Sequence, residues 1–497
     1  MEIQKARKIG LILTLMMLIG SVVGIGIFFK NGSVLRSTDS NGLSWLLTWI
    51  IGGIISLCAA LSFMEIGSFK NSKITSISNW SYKIFGKHFG YFTNITYTLF
   101  YFGMLFTIIS FYFSEIFLFF ISSVSKFELT TIPLYVHVLI GLITSIIFFF
   151  LNVMSTKVSG IFQSVVTLIK FIPILGALFI GIIFPNTHNA GGVNAFSLGS
   201  FTFKGIVLAL PSVLFAYDAF LVSGSLAHKV KKPTKTIPKA IIIGMTFITI
   251  LYTLIALSSI LHNKGTLQDL LKDSLSENTQ VWLGNTIAFF LVISTIGVVN
   301  GLSAAFVSEL SNSINANLIF GSKQLIKKIG EFKTLILYAF LITMFWAIVC
   351  YIPTIVLDTD ILTDAYTNYP TVFFFVIYAI VILKYTISRK KQTETTKFSN
   401  YLFYTASLIA VIGIIFVSGA NIVVQISTAF SDKTNPAGWG LFLGKDSDII
   451  PPYLPILLTT IFAIFFISLP YLNEYLNRLI FKESIIKNFD VLVKKEV

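Results

Sequence analysis

Long apolar runs separated by short polar stretches make up most of this chain, and the pattern is neither the period-2 alternation of half-buried strands nor the one-sided stripe of a surface helix. At about 20 apolar residues per crossing, twelve candidate helices stand out, near 9–29, 43–64, 91–121, 133–151, 158–184, 203–226, 239–261, 281–311, 334–352, 370–387, 400–420 and 453–472. Such runs are too long and continuous for barrel strands, and a backbone in lipid must satisfy its own hydrogen bonds. The pattern therefore predicts an all-α integral membrane protein of about 12 transmembrane helices. The first run lacks a small-residue cleavage site and is expected to remain as a span.

Composition agrees: of 497 residues, 55% are hydrophobic and only 12% charged. The net charge of +14 would on a soluble chain point to nucleic acid, but here its position along the spans matters. Counted from an inside N-terminus, 27 Lys and Arg fall in inside segments and 7 outside, Lys30 and Arg36 among the latter, with Lys170 and Lys204 left over. This split predicts cytoplasmic N- and C-termini in a cell membrane. It makes membrane lipids, not nucleic acid, the partners of the basic loops. Residues 1–8 are then a cytoplasmic N-terminus and 473–497 a cytoplasmic tail, with a short amphipathic outer segment or plain loop after Asn263. The two cysteines, each inside an apolar span, indicate neither a disulfide framework nor a metal site.

Two spans are interrupted. The first reads Gly20-Ser21-Val22-Val23-Gly24-Ile25-Gly26-Ile27-Phe28 at mid-membrane depth, where glycine lets a helix unwind and a ligand reach the backbone. One such motif can simply serve close helix packing. The sixth span, however, carries Pro211, then Phe215-Ala216-Tyr217-Asp218-Ala219-Phe220, then Ser223-Gly224. Breaks in spans one and six occupy equivalent places in two five-helix halves, about 9–184 and 203–387. Paired breaks of this kind mark an inverted-repeat secondary transporter and its central site. A ten-helix core over 9–387 would then be followed by two peripheral helices over 400–472.

The first-helix run Gly20–Phe28 resembles the signature of the amino acid–polyamine–organocation (APC) superfamily permeases. The sixth-helix run Phe215-Ala216-Tyr217-Asp218, with Lys229-Val230-Lys231-Lys232-Pro233 and Ile237-Pro238-Lys239-Ala240-Ile241 after it, and Phe85-Gly86-Lys87-His88-Phe89-Gly90-Tyr91 before helix three, are similar to the same family. The resemblance implies a LeuT-like fold that imports or exchanges amino acids or related amines by alternating access. The chain departs from the family after span two, at Phe69–Thr75, and after span eight, where Glu309 stands in a Ser308–Asn315 run that is usually basic.

An amino acid offers a carboxylate and an ammonium, and a broken helix offers complementary ends. The N–H groups of Gly24, Ile25 and Gly26, where the outer half of span one begins, are candidates for the carboxylate. Carbonyls of Ile19, Gly20, Ser21 and Val22, with Phe215, Ala216, Asp218 and Ala219 at the second break, are candidates for the ammonium. Tyr97, Tyr101, Tyr217, Phe220, Asn300 and Ser303 are candidate walls.

An acid at mid-membrane is a functional hypothesis by default, so Asp218 either contacts substrate or caps a half-helix of span six. Lys170 lies twelve residues, about 18 Å, inside span five, too deep to snorkel. It matches the span-five lysine whose ammonium, in sodium-independent relatives, replaces a sodium ion between helices one and eight. It either exchanges a proton during the cycle or stays charged on carbonyls of span one. A channel lacks support, since no filter sequence appears. A transporter-like amino acid sensor is the stronger alternative. No enzyme chemistry is expected, as the five histidines are scattered and no triad or ligand cluster is visible. No cofactor is expected, and the absence of Gly-x-x-x-x-Gly-Lys-Ser/Thr argues against an ATP site.

Overall fold

A computed structural model describes residues 9–24, 26–125, 127, 129–183, 192–197, 199, 201–264, 277–357, 361–430 and 451–494. Expectations for residues 1–8, for Ile25 and for most of the segment after Asn263 lie outside the described residues. The chain is all α, and among the described residues the sole bridge is an isolated parallel pair, Ile9 with Val230. Among the described residues eleven helices are long and apolar enough to cross a membrane, and the first span is a broken one.

That first span is α1 (Leu11–Val22), a π-helical segment over Gly26–Lys30, and α2 (Asn31–Ser37). Then come α3 (Gly42–Ile66), two short helices α4 (Ser76–Phe85) and α5 (Lys87–Ile95), a π-helical stretch over Thr96–Phe102, and α6 (Gly103–Ser125). The first half ends with α7 (Leu134–Met154) and α8 (Thr156–Ile183). The sixth span is split into α9 (Phe203–Tyr217) and α10 (Val222–Ser225), followed by α11 (Pro233–His262) and α12 (Glu277–Asn315). A short α13 (Ser322–Ile329) precedes α14 (Glu331–Leu357) and α15 (Ile361–Ser388). Finally come α16 (Asn400–Ala429), α17 (Leu454–Phe481) and a tail helix α18 (Ile485–Val493).

Several helices run past their apolar windows into polar flanks, because helix hydrogen bonding does not stop where hydrophobicity does. Their starts are fixed locally: Asn41 accepts from Ser44 N at 2.8 Å and Thr202 from Gly205 N at 3.0 Å, each satisfying an orphan donor. Between α4 and α5, Gly86 takes φ 86°, a left-handed turn that glycine enters without a steric penalty.

The layering follows burial. The apolar window of the sixth span is 89% buried and that of the eighth 78%, against 28% for α16 and 22% for α17. Spans six and eight are thus central, and the last two are peripheral. Both described chain ends meet one face of the bundle. Ile9 N donates to Lys229 O at 2.8 Å and Lys231 N to Ile9 O at 2.9 Å, while Lys73 N donates to Val493 O at 3.0 Å. His228 Nε2 joins the two sites through Lys73 O at 3.1 Å. Burial pushes the Lys229 ammonium down to about 8, since its charged form loses hydration there. We call this the terminal face.

On that face Glu65 and Arg389 form a buried pair, 0% and 3% exposed. Arg389 donates Nε to Oε1 at 2.8 Å and an Nη to Oε2 at 2.9 Å, and Tyr385 and the Phe398 amide complete the carboxylate's shell. Removing one partner leaves the other charge buried and unpaired. Glu65→Gln is therefore expected to destabilise the protein by about 3–5 kcal/mol, with most of the loss recovered in Glu65→Leu/Arg389→Met. Thermal unfolding in detergent checks this, and a single variant as stable as wild type would contradict it.

Candidate functional site

The two breaks meet in the middle of the bundle. The first helix ends at Val22, and Val23 leaves it in an extended conformation (φ −75°, ψ 110°), slightly later than the sequence places the end. The sixth ends at Tyr217; Asp218 is extended and Ala219 is left-handed at φ 66°. A Cβ built on Gly26 would lie 2.5 Å from the Ala216 Cα, so the second half of span one crosses the first break residue of span six with no side chain between them. On the other side, a Cβ on Gly301 of α12 would fall 2.0 Å from Ser21 Oγ, and one on Gly20 would fall 1.9 Å from the Gln163 amide of α8. Glycine at these positions sets how closely four helices approach the unwound backbone.

Opened backbone needs partners. Lys170, fully buried on α8, donates to Gly20 O at 2.8 Å and also to Val23 O. The Tyr252 hydroxyl of α11 donates to Val22 O at 3.0 Å, and Ile19 O receives Val23 N at 2.8 Å. Most of the span-one carbonyls that the sequence offers to a substrate are therefore already engaged. Lys170 lies on a polar stripe of α8, Gln163, Thr167 and Lys170, at spacings of four and three that put all three on one helix face. Thr167 Oγ1 reaches Met16 O at 3.4 Å, and the whole stripe faces α1.

Asp218 is differently placed. One carboxylate oxygen accepts from Thr371 Oγ1 of α15 at 2.7 Å, while Oδ1, buried, has no hydrogen-bond partner. Asp218 is the C-cap residue of α9, the end of a helix where a carboxylate gains nothing from the dipole. The capping role considered from the sequence therefore has no support here. Its neighbour Tyr101 sits within electrostatic reach, but that hydroxyl completes no hydrogen bond.

Between the breaks lies a small cavity, about 30 Å³, lined by Ser21, Val22, Gly26, Leu105, Ile109, Phe215, Asp218, Ala219, Val298 and Leu302. It has room for a water or two, too little for an amino acid. Six of these residues, from Ser21 to Ala219 across the two breaks, are among those expected from the sequence. The walls differ from expectation. Span three contributes Leu105 and Ile109, and span eight Val298 and Leu302. Tyr97 stacks on Tyr101 at 5.0 Å. Tyr217 packs against Trp49 and Tyr252, and Phe220 against Phe63 and Tyr378. Asn300 is turned away into a network that joins α7, α8 and α12: it donates to Gln163 Oε1 at 2.6 Å and accepts from Asn152 at 3.1 Å and Ser159 at 3.0 Å. Ser303 is buried but does not line the cavity.

Three residues were missed. Tyr252 and Thr371 hold the two breaks, and the only sequence signal for either is a polar side chain within an apolar span. Lys30 was counted with the outside loops, and the structure corrects this. The helix resumes at Gly26 and continues through Ser37, so Lys30 is 1% exposed in the wall of the bundle. Its Nζ lies 3.3 Å from Thr367 Oγ1 and 5.0 Å from the centre of the Phe215 ring.

The family model described as "Amino acid permease" matches residues 14–465, a range that includes both breaks and runs from within the first span into the last. The chain belongs to the amino acid permease family. Among relatives, this permease is 25% identical over 309 residues to the serine/threonine exchanger SteT of Bacillus subtilis, covering 60% of this chain and 66% of that protein. It is 26% identical over 310 residues to the mouse b(0,+)-type amino acid transporter 1, covering 59% and 60%. To the human cystine/glutamate transporter it is 28% identical over 322 residues, covering 60% and 59%. The chain thus spans under two thirds of the length of the curated relatives it matches. Their names describe transporters, not enzymes.

Close contact at the crossing of the breaks gives a direct test. Gly26→Ala must displace backbone at Ala216 and is expected to cost about 1–3 kcal/mol and to lower transport. Gly160, in α8 with open space around its Cβ position, is a control: Gly160→Ala should be neutral or gain about 0.5–1 kcal/mol. Melting temperatures of the two purified variants measure both, and a Gly26→Ala protein as stable as Gly160→Ala would remove the close-approach argument.

Proposed function

We propose that this permease is a secondary transporter that moves amino acids or related amines across a cell membrane by alternating access, without sodium, through exchange or proton symport. One observation carries the reading: Asp218 presents a buried, unpartnered carboxylate oxygen to a cavity lying between two broken helices. A buried acceptor of this kind is costly to leave unmade, and a substrate ammonium would complete it. The N–H groups that follow the first break, from Gly24 to Gly26, face the opposite task of receiving a carboxylate. The side-chain walls Val22, Leu105, Ile109, Val298 and Leu302 are apolar, which favours an uncharged substrate side chain.

The remaining parts follow. The two five-helix halves, 9–184 and 203–387, would rock against each other as inverted repeats. The excess of basic residues in segments on the side of the termini supports a cytoplasmic terminal face. Lys170 supplies a fixed cation where its ammonium meets Gly20 O and Val23 O, and this supports independence from sodium.

Purified protein in liposomes, preloaded with one amino acid and offered labelled neutral, cationic and anionic ones, should exchange the neutral class, and replacing sodium with choline should leave the rate unchanged. No flux for any amino acid or polyamine would remove the reading. In the same assay Asp218→Asn loses the charge that pairs with the ammonium and should raise the half-saturating concentration about tenfold or more, the equivalent of one charge-assisted hydrogen bond. Unchanged kinetics would take Asp218 out of the site.

A further inference from the structure

Three glutamates are buried towards the terminal face, and their surroundings differ. Glu65 has a bidentate arginine, a tyrosine hydroxyl and a backbone amide. Glu474, 5% exposed, accepts from Arg478 Nε, from Ser484 Oγ at 2.6 Å, and from the amides of Ile485 and Ile486 at 2.9 and 3.3 Å. Both have the donors that an ionised carboxylate requires. Glu309 on α12 does not. It is fully buried, its Oε1 accepts only from Thr75 Oγ1 at 3.2 Å, and Oε2 has no hydrogen-bond partner.

The neighbours supply no countercharge. Neither α1 nor α10 contains an ionisable residue. From the third span, Tyr97 is within electrostatic reach of Glu309, and Ser225 of α10 lies alongside. Lys170 of α8 is committed to Gly20 and Val23, and His137 of α7 packs at a tilt against Phe111. Near the end of α12, Lys323 pairs with Glu483, and Glu331 accepts from Asn315. In the last turn of α4, Lys83 pairs with Glu394. Lys229 lies in the turn after α10, with burial as the one influence on its charge.

Glu309 also sits where three parts of the chain close on each other. Thr75, just before α4, reaches Ser225 O at 3.4 Å and accepts from Asn312 Nδ2 at 3.0 Å; Ser308 Oγ donates to Ser225 O at 2.8 Å, and Ser76 Oγ to Leu221 O at 3.3 Å. These contacts fasten α12 and the loop before α4 to the short half of span six, on the terminal-face side of the cavity residues Val298 and Leu302.

We propose that Glu309 is a proton-binding site of the cytoplasmic gate, carrying a proton while the gate is closed and releasing it to cytoplasmic water when the gate opens. The inference rests on the transporter reading and on the terminal face being cytoplasmic. An ionised carboxylate with only neutral hydroxyls for company is among the costliest groups to bury, whereas a carboxylic acid is tolerated. Opening parts Thr75 and Ser225 from α12, admits water and allows the acid to dissociate, its proton passing to a water molecule. Because this exchange reaches one side only, it moves no net charge across the membrane. It makes gate opening dependent on internal pH, with the equilibrium shifting by up to about tenfold per pH unit. Alkaline pH inside favours the open gate and acid pH the closed one.

The test compares wild type, Glu309→Gln and Glu309→Asp in vesicles with the protein in one orientation, varying pH on each side separately. In wild type and Glu309→Asp, the exchange rate should change several-fold with internal pH between about 6 and 8 and stay constant with external pH. Glu309→Gln, which mimics the protonated acid, should lose the internal response. A wild-type rate indifferent to internal pH, or a Glu309→Gln protein with the wild-type response, overturns the proposal. Two readouts need no transport: the infrared band of a protonated carboxyl at neutral pH should vanish in Glu309→Gln, and that variant should keep the wild-type melting temperature. A missing band in wild type, or a loss of stability like that of Glu65→Gln, also overturns it. If neither protein transports but the band and melting results hold, the transport reading fails and the protonation site stands.

Discussion

A helix opened in the middle of a membrane leaves carbonyls with no water to bind and no amide a turn away, and the rest of this structure is arranged around meeting that need. The ammonium of Lys170 meets it at Gly20 and Val23, and the hydroxyl of Tyr252 at Val22. The arrangement is reciprocal. A lone ammonium in the core of a bundle would be as costly as the bare carbonyls, and each supplies what the other lacks. Three helices, α1, α8 and α11, are thereby held in one register at the depth where the cavity lies. The glycines at 20, 26 and 301 then allow α8, α9 and α12 to come near enough for short side chains to reach backbone.

Asp218 differs from this pattern and gains its meaning from it. Around it the same scaffold engages most of the carbonyls at the end of α1, yet leaves one oxygen of the acid unmet beside a cavity too small for an amino acid. A buried carboxylate oxygen left unmet beside the cavity marks a place that a ligand's own charge can complete. The cavity volume shows that the walls must also separate to admit one. Binding and movement are thus required at the same point, where the half-helices of spans one and six cross at Gly26 and Ala216.

Much of this was legible in the sequence because lipid imposes strict rules. Apolar length marked the spans, and polar or breaking residues inside them stood out against a uniform background, which is why the two breaks, Asp218 and Lys170 could be picked out. What the sequence did not reveal is rotation about a helix axis. A span apolar on all sides carries no amphipathic stripe, so polar residues on spans three and eight were the natural choices for the site walls. In span three, the π-helical stretch Thr96–Phe102 holds Tyr97 and Tyr101. It changes the residue-per-turn count, and Leu105 and Ile109 of α6 come to the cavity. In span eight, the polarity of Asn300 serves the α7–α8–α12 network. Lys30 was misplaced for a simpler reason: counting charges by loop assumes that a helix ends where its apolar run does, and this one resumes after its break and continues to Ser37.

The two ends of the cavity are closed by different chemistry, and that difference bears on how the permease can move. Above Phe215, the Lys30 ammonium lies over the aromatic ring and donates to Thr367 Oγ1, so a cation on an aromatic face, worth more when desolvated, is given up when the two separate. Towards the terminal face, closure rests on hydroxyls meeting carbonyls and one carboxyl: Ser308 and Thr75 at Ser225, Ser76 at Leu221, and Thr75 at Glu309. Hydrogen bonds of this kind exchange for bonds to water with little net change, so that end yields once water can reach it. A cation on an aromatic face thus stands on one side, and hydroxyl-to-carbonyl hydrogen bonds on the other. A cycle built this way is sensitive at its polar end to whatever alters the hydration of those few groups, and the one among them that can change its charge is Glu309.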